Sequence, residues 1–523
     1  MSADRTPPMP YSRDVVRAQS GSEAADFDAR AIRDIGVPQS VLMENAGRSA
    51  ALVIQALHRP RRLVGVVGAG NNGGDALVVL RTMAAWGVDV TALLVADRSA
   101  DDPLLHGWPI RTVSDRELPD DERGRLLDDA DVIIDGVLGT GVRGAARDRQ
   151  AAAIEAMNRS STPVVALDMP SGADATTGHV PGSTVHAALT ISFGAPKTGG
   201  LLHPARGHVG RHVTVEIGFP PLTESDASAL VVTPRWARRH LPVRDTDTHK
   251  NRVGRLLIVG GGVGMAGAVI LGARAAFQAG AGLVQICSVA ANRNAVHAGI
   301  PEAMFIDSDD VAALMAAAQA ADAIVAGPGL GASEESAAVL NQLIEFGTQP
   351  LLLDADALNL AAAGAVSLSE VGESRPVLIT PHPGEMARLA PELVPTASRL
   401  DIARTVAAEH SIAVLFKGAP SVVAAPSGPV LIDTQGSSDL AVAGMGDTLA
   451  GVCGALMAQG LGPAVAGSVG LYLSGRAARH AARGAGLTPS DVSEHLPDVL
   501  TETAEVETDL PFPFVLFDAE AAR

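Results

Sequence analysis

Cysteine is nearly absent: Cys287 and Cys453 are the two in 523 residues. Two thiols build neither a disulfide framework nor a structural zinc site, and both sit in apolar runs, the usual setting of a buried core cysteine. Aromatics are scarce, with ten Phe, three Trp and two Tyr. Positive charge is in deficit, 40 Lys and Arg against 58 Asp and Glu, a net charge of −18. A general nucleic-acid or anionic-membrane binder needs a basic face, so those partners are excluded, although a local basic pocket is not. No apolar run reaches the ~18 residues of a membrane span; the most apolar stretch, Leu440 to Ala458, is broken by Asp447. The first dozen residues carry Asp4, Arg5, Pro7, Pro8 and Pro10 and no apolar core, so no signal peptide is expected. The 14 histidines are scattered, with no zinc-type pairing. What is abundant is glycine, 55 residues, within a composition that is 47% apolar. That excludes disorder and fits two to four domains at ~150 residues each. The expected setting is soluble, reducing and cytoplasmic.

After a flexible leader over residues 1–12, helical patterning fills 13–60. The chain then alternates short apolar strands with helices. Leu63–Val67, Val88–Val95, Val132–Asp135 and Val164–Asp168 read as strands, with a helix over Ala76–Trp86. Continuous β-branched runs between helices indicate a parallel sheet covered on both faces, whose functional groups collect at the strands' carboxyl ends. The pattern stops around 220–250, where a domain boundary is expected. A second series follows with Arg255–Val259, Leu283–Ile286, Ala323–Ala326, Pro350–Leu353, Val377–Ile379 and Ala413–Phe416, ending in helices from Thr448 to about Arg483. The acidic tail from Glu502 to Arg523 shows no pattern.

In the first half, Gly68-Ala-Gly-Asn-Asn-Gly-Gly-Asp75 follows a strand and opens a helix. Its glycines turn backbone amides toward an anion, and the helix N-terminus adds partial positive charge. A structural turn would use the same glycines, and the two asparagines and the aspartate are harder to explain by a turn alone. Asp135-Gly-Val-Leu-Gly-Thr-Gly141 and Asp168-Met-Pro-Ser-Gly172 each begin at a strand end. Carboxylates there can coordinate a cation or accept a proton; helix capping is the plainer alternative. Together with Met43–Gly47, Ala188–Gly194, Lys197 and His203–Gly207, these loops resemble the NAD(P)H-hydrate epimerase family over residues 13–222. The resemblance implies a Rossmann-like three-layer domain. It places the hydrated dinucleotide against Asn71, Asn72, Gly73, Gly74, Asp75, Gly139, Thr140, Gly141, Val142, Arg143, Gly144, Ala145 and Asp168, with Asp168 catalytic. It also implies a potassium ion held by Asn72, Asp135 and Ser171. Ala76 stands where that family usually has glycine.

In the second half, Gly260–Gly264, Gly327-Pro-Gly-Leu-Gly331, Leu353-Asp-Ala-Asp356, Thr380-Pro-His-Pro-Gly-Glu385 and Lys417-Gly-Ala419 each follow a strand. Ala443-Gly-Met-Gly-Asp-Thr448 puts glycines and Asp447 at the start of an apolar helix. Amides there can stabilise a transferring phosphoryl group while Asp447 accepts a proton from a hydroxyl; a capped, glycine-packed helix is the plain alternative. This arrangement resembles the ribokinase-like α/β fold. With His249-Lys250 and Gly267-Ala268 in order, it resembles the NAD(P)H-hydrate dehydratase family over residues 245–500. The resemblance implies hydrate contacts from Ala268, Gly331, His382 and Asp447, with Asp447 catalytic. It implies nucleotide contacts from Lys417, Gly418, Ala419, Pro420, Ser421 and Gly446. Met445 replaces the small hydroxyl residue expected between the two glycines.

Joined, the halves resemble bifunctional enzymes that repair hydrated NADH and NADPH. The first half would interconvert R and S hydrates. The second would dehydrate S with ADP as phosphoryl donor, releasing AMP and phosphate, with magnesium accompanying the nucleotide. The expected partners are these small molecules, in a homo-oligomer. The alternative is a ribokinase-like small-molecule kinase fused to a non-catalytic binding domain.

Overall fold

The computed structural model of the protein describes residues 13, 15–98, 102–141, 143–243, 247, 253–394, 397–502 and 508–521. The expected leader, Val142 and the His249-Lys250 pair lie outside the described residues. The chain divides into two units, Met1–Leu230 with Val506–Arg523, and Val231–Glu505.

The first unit is built on eight strands. Across the sheet they run Val515–Ala519, Arg211–Val215, Leu189–Phe193, Val164–Leu167, Val132–Gly136, Arg62–Val67, Asp89–Leu94 and Arg111–Ser114. All neighbours are parallel except the first pair. Side chains alternate along each strand, and both faces are apolar. Leu63 and Val67 pack with the helices Gln39–Leu57 and Asn71–Ala85. Val64 and Val66 pack with Leu127, Ile154 and Met157 of the helices Asp120–Asp128 and Asp148–Arg159. The result is three layers. From the Arg62–Val67 strand the chain builds outward to Asp89–Leu94 and Arg111–Ser114, then returns to Val132–Gly136 and builds the other way. Strand order therefore reverses between Arg62–Val67 and Val132–Gly136, and ligands of open α/β sheets bind beyond such a reversal.

The second unit repeats the logic. Arg255–Val259 is followed outward by Leu283–Ser288 and Met304–Asp307. On its other side lie Ala323–Ala326, Leu351–Leu353, Val377–Ile379 and Ala413–Phe416, all parallel. Val422–Ala424 and Val430–Asp433 extend that side antiparallel. The reversal here lies between Arg255–Val259 and Ala323–Ala326. No helix among the described residues is long and apolar enough to cross a membrane.

The structure corrects the expected elements in three places. The first-half helix starts at Asn71, not Ala76, so Asn71 to Asp75 form its opening turn rather than a loop. A further helix, Pro489–Thr501, follows those expected to end near Arg483. The tail is not patternless: Val515–Ala519 pairs antiparallel with Arg211–Val215. Arg211 holds that strand by donating to Asp518 at 2.9 and 2.6 Å, and Phe517, 7% exposed, meets the His212 ring edge-on at 5.6 Å. Phe517→Ala is expected to destabilise the first unit by about 3 kcal/mol through the cavity left behind. Faster hydrogen exchange over residues 211–215 than in the second unit's strands would show it; unchanged exchange would mean that the tail is dispensable.

Candidate functional site

Beyond the reversal in the first unit opens a cavity of ≈ 630 Å³, a size suited to a small-molecule ligand. Its floor is the two loops that leave the reversed strands, and they touch backbone to backbone. A Cβ on Gly68 would stand 2.0 Å from the Val137 carbonyl oxygen, so only glycine fits there. Asn71, Asn72, Asp75, Gly139, Thr140, Gly141 and Asp168 all line the cavity. Asp168 sits just past its strand at φ +63°, a left-handed backbone that aspartate tolerates better than most residues. The buried Lys197 ammonium donates to Asp168 Oδ1 at 2.6 Å and to the carbonyls of Phe193 and Ala195 at 2.9 and 3.1 Å. Ser192 Oγ donates to the Asp168 carbonyl and also meets the buried His212 ring at 2.8 Å. Burial, with Lys197 and Arg206 nearby, pushes that imidazole down to about 3, so it stays neutral.

Two more acids share the cavity. Burial and the neighbouring Asp168 and Asp28 carboxylates hold Asp75 well above the usual carboxylate range. Asp28, on the helix Gly21–Arg33 and lining the cavity, is pushed up to about 6 by desolvation within the cavity wall and by Asp168, against the pull of Lys197. Beneath the loops, the fully buried Asp135 accepts from Ser171 Oγ at 2.6 Å and from Ser171 N–H at 2.8 Å. Burial drives it up to about 6 despite those bonds. Asn72 Nδ2 donates to the Leu138 carbonyl at 2.7 Å, while its buried Oδ1 has no hydrogen-bond partner.

In the second unit, Asp447 lies in the first turn of the helix Met445–Ala458. Burial and Asp354 push it up to about 6, against Lys417. Lys417 Nζ donates to the buried Asp354 Oδ1 at 2.8 Å. Burial pulls the ammonium down, and Asp354, Glu385 and Asp447 more than offset that, so its net shift is upward. A Cβ on Gly446 would lie 3.4 Å from Lys417 Nζ, which places the helix's opening amides beside the ammonium. Gly418 N–H donates to Ser421 Oγ at 3.1 Å, closing the turn that holds Ala419 and Pro420. The Arg399 guanidinium bonds the Lys417 carbonyl at 2.9 Å and lies over the Phe416 ring. Gly331 N–H donates to Asp356 Oδ2 at 2.8 Å, and Ala268 packs under Gly329.

With this geometry in view, similarity to known proteins is specific. A family model described as NAD(P)H-hydrate dehydratase matches residues 256–498. Another, described as YjeF-related protein N-terminus, matches residues 39–199. The bifunctional NAD(P)H-hydrate repair enzyme Nnr of Moorella thermoacetica is 34% identical over 527 residues, covering 94% of this chain and 98% of that one. The chain belongs to the family of bifunctional NAD(P)H-hydrate repair enzymes. Its relative of the same name in Escherichia coli is 34% identical, over 90% of this chain and 88% of that one. Among solved structures, the ADP/ATP-dependent NAD(P)H-hydrate dehydratase of Bacillus subtilis, crystallised with ATP and Mg²⁺, is 29% identical. It aligns with 51% of this chain and 96% of its own, at a TM-score of 0.46.

Within this member of the family, not every residue singled out by motif reaches its cavity. Gly73 and Gly74 face inward: a Cβ on Gly73 would meet the Gly68 carbonyl at 2.2 Å, and one on Gly74 would meet the Met43 side chain. Arg143, Gly144 and Ala145 are outside the cavity wall. Ala76 is accommodated by Gly136, whose bare Cα leaves room for its methyl. His382 spends its Nδ1 on capping the helix Pro383–Leu389, accepting from Gly384 at 2.9 Å and Glu385 at 3.3 Å. Met445 is buried at the helix start. The sequence reading assigned no role to Asp28, Asp354, Asp356 or Glu385. The last three stand inside quoted motifs and could have been found there. Asp28 carries no such signal.

Lys417 is the residue on which the second cluster's charge balance turns. Lys417→Met leaves Asp354 buried without its ion, and is expected to cost about 3 kcal/mol. Pairing it with Asp354→Leu should recover most of that loss in chemical denaturation. A single variant as stable as the parent would mean that the pair is not needed to hold the site.

Proposed function

We propose that the chain repairs hydrated NADH and NADPH in the cytoplasm, with residues 13–222 epimerising the R and S hydrates and residues 245–500 dehydrating the S form. The carrying observation is the pairing of a raised-pKa carboxyl, Asp447, with the opening amides of a 14-residue helix and with Lys417. That combination suits phosphoryl transfer to a hydroxyl: a base takes the proton, while amides and ammonium hold the phosphoryl charge. Asp447 takes the proton of the hydrate's ring hydroxyl, and the oxygen attacks the terminal phosphorus of ADP, releasing AMP. Phosphate is a far better leaving group than hydroxide. Its departure, with loss of a proton from the adjacent carbon, restores the dihydronicotinamide. Lys417, Gly418 to Ser421 and Gly446 are the nucleotide's contacts, with Ala268, Gly331 and His382 on the hydrate side. Magnesium keeps waters and takes nucleotide oxygens readily, so it would enter with the nucleotide.

In the first unit, Asn71, Asn72, Asp75, Gly139 to Gly141 and Asp168 hold the hydrated dinucleotide, with Asp168 at the reacting ring. Potassium would be held by Asn72, Asp135 and Ser171. The unpartnered Asn72 Oδ1 and the buried Asp135 carboxylate form an oxygen set fitting a hard cation. When bound, the ion supplies fixed positive charge beneath the two loops. A homo-oligomer is the expected assembly.

The test is an assay on mixed R and S hydrates with ADP, following released phosphate and recovered dihydronicotinamide absorbance. The parent should convert both epimers, faster with ADP than with ATP. Asp447→Asn should lower dehydration by about 10²-fold or more while still interconverting epimers. Asp168→Ala should consume S and leave R. A stable phosphorylated product instead of phosphate would overturn the repair reading in favour of a kinase.

The pH profile follows from the same base. Asp447 must be ionised to accept the proton, and burial raises its pKa to about 6. The dehydration kcat/KM is therefore expected to fall tenfold per pH unit below about 6 and to level off above it. A rate independent of pH between 5 and 7 would remove Asp447 as the base.

A further inference from the structure

Hydration of a dihydronicotinamide adds water across an enamine, so the hydroxyl ends on the carbon bonded to the ring nitrogen. Such a carbon loses its configuration when water leaves and returns. The nitrogen lone pair forms an N=C bond, the C–O pair goes to oxygen, and the planar iminium takes water on either face. Departure as water rather than hydroxide needs an acid, and the cationic intermediate needs a negative charge beside it.

The first unit's cavity holds both kinds of group. The Asp168 carboxylate is ion-paired with Lys197 at 2.6 Å and fixed by the Phe193 N–H at 3.3 Å. Asp28 comes from a different element, the helix Gly21–Arg33, and lines the same cavity without an ion-pair partner of its own among the described residues. The charged groups facing it are Asp75 from the helix Asn71–Ala85, Asp168 beyond its strand, and Lys197. Three carboxyls around one ammonium cannot all ionise cheaply.

We infer that Asp28 is the general acid and base of epimerisation, protonating the departing hydroxyl and taking the proton back from the water that re-adds, while Asp168 stabilises the iminium. This rests on the epimerase reading above. Of the two acids beside Asp168, Asp75 is buried in the opening turn of its helix, and burial and its acidic neighbours hold it well above the usual carboxylate range. Asp28, open to the cavity and raised to about 6, can both give and take a proton near neutral pH. The cycle balances: one proton leaves Asp28 and one returns, one water departs and one adds.

The experiment uses the full chain and purified R hydrate in oxygen-18 water. The parent is expected to produce S hydrate carrying the heavy oxygen, at a rate that falls above about pH 6 as Asp28 ionises. Asp28→Asn should lower epimerisation at least 10²-fold and abolish that alkaline limb. It should bind R hydrate within about threefold of the parent and dehydrate S hydrate with ADP at the parental rate. Asp28→Glu should restore part of the rate. Parental epimerisation by Asp28→Asn, or an unchanged pH limb in it, overturns the assignment and leaves the epimerase reading standing. Complete retention of light oxygen by the parent overturns the water-loss route. If the parent does not epimerise R hydrate at all, the functional reading fails with it.

Discussion

Both units depend on one constraint: backbone meeting backbone where strand order reverses. Two neighbouring parallel strands whose helices leave toward opposite faces open a crevice past their carboxyl ends. The loops that floor it must approach more closely than side chains permit. In the first unit the contact is Gly68 against the Val137 carbonyl. In the second it is Gly260, where a Cβ would stand 2.2 Å from the Pro328 carbonyl; one strand further along, Gly327, at φ +122°, is pressed as closely, a Cβ there standing 1.8 Å from the Asp354 carbonyl. The positions of Asn71, Asp75 and Asp168 around one cavity follow from the first contact. In the second unit the Gly327 contact seats Asp354, which the Lys417 ammonium then meets at 2.8 Å. Separating either pair of loops by a methyl group's width would leave the strands intact and take the site apart.

Charge is arranged on that frame in the same way twice. Each site has one buried ammonium, Lys197 or Lys417, bonded to one carboxylate at 2.6 or 2.8 Å. Each surrounds that pair with further acids that burial and mutual repulsion drive upward: Asp28 and Asp75 in one, Glu385 and Asp447 in the other. The ammonium bonds one acid directly, and the others are left raised. A chain with net charge −18 can still receive anionic dinucleotides, because the attraction is local. It comes from helix N-termini, exposed amides and one cation per site rather than from a basic surface.

Much of this frame was legible in the residues. Runs such as Leu63–Val67 and Arg255–Val259 are buried on both faces and read as parallel strands. The glycine and aspartate motifs after them mark the strand ends, and they led to the right family. What escaped notice did so for physical reasons. The helix at Asn71 opens on Asn-Asn-Gly-Gly, among the poorer helix formers; tertiary burial, not propensity, sets its start. The strand Val515–Ala519 follows an acidic stretch and gains its meaning from pairing with residues three hundred positions earlier. Pro497 stands inside the helix Pro489–Thr501 and disguises it. Asp28 is one acid among several on an amphipathic helix, and only the fold turns it into a cavity. His382 was singled out by motif, yet its Nδ1 is committed to the following helix, leaving Nε2 to face Glu385 at 3.4 Å.

The two chemistries differ in a way that explains why one chain carries both. Epimerisation at a carbon bearing nitrogen and oxygen is an equilibrium between forms of similar energy, and no site can draw it to completion. Dehydration coupled to phosphoryl transfer is driven strongly forward but recognises one configuration, because the base and the phosphoryl group must meet the hydroxyl in line. An enzyme with only the second activity would strand half of a racemising substrate. An enzyme with only the first would repair nothing. Joined, the consuming step lowers S and mass action pulls R through the equilibrium. This requires only that both sites belong to molecules present together, with no passage of substrate between them. The demands on the two sites then diverge. The epimerising cavity needs a group that both gives and takes a proton. The dehydrating site needs a base, ionised above about pH 6 in the case of Asp447, and amides that hold charge. The two clusters share a carboxyl raised to about 6 and differ in its setting: Asp28 is open to its cavity in the first, and Asp447 sits in the opening turn of a long helix in the second.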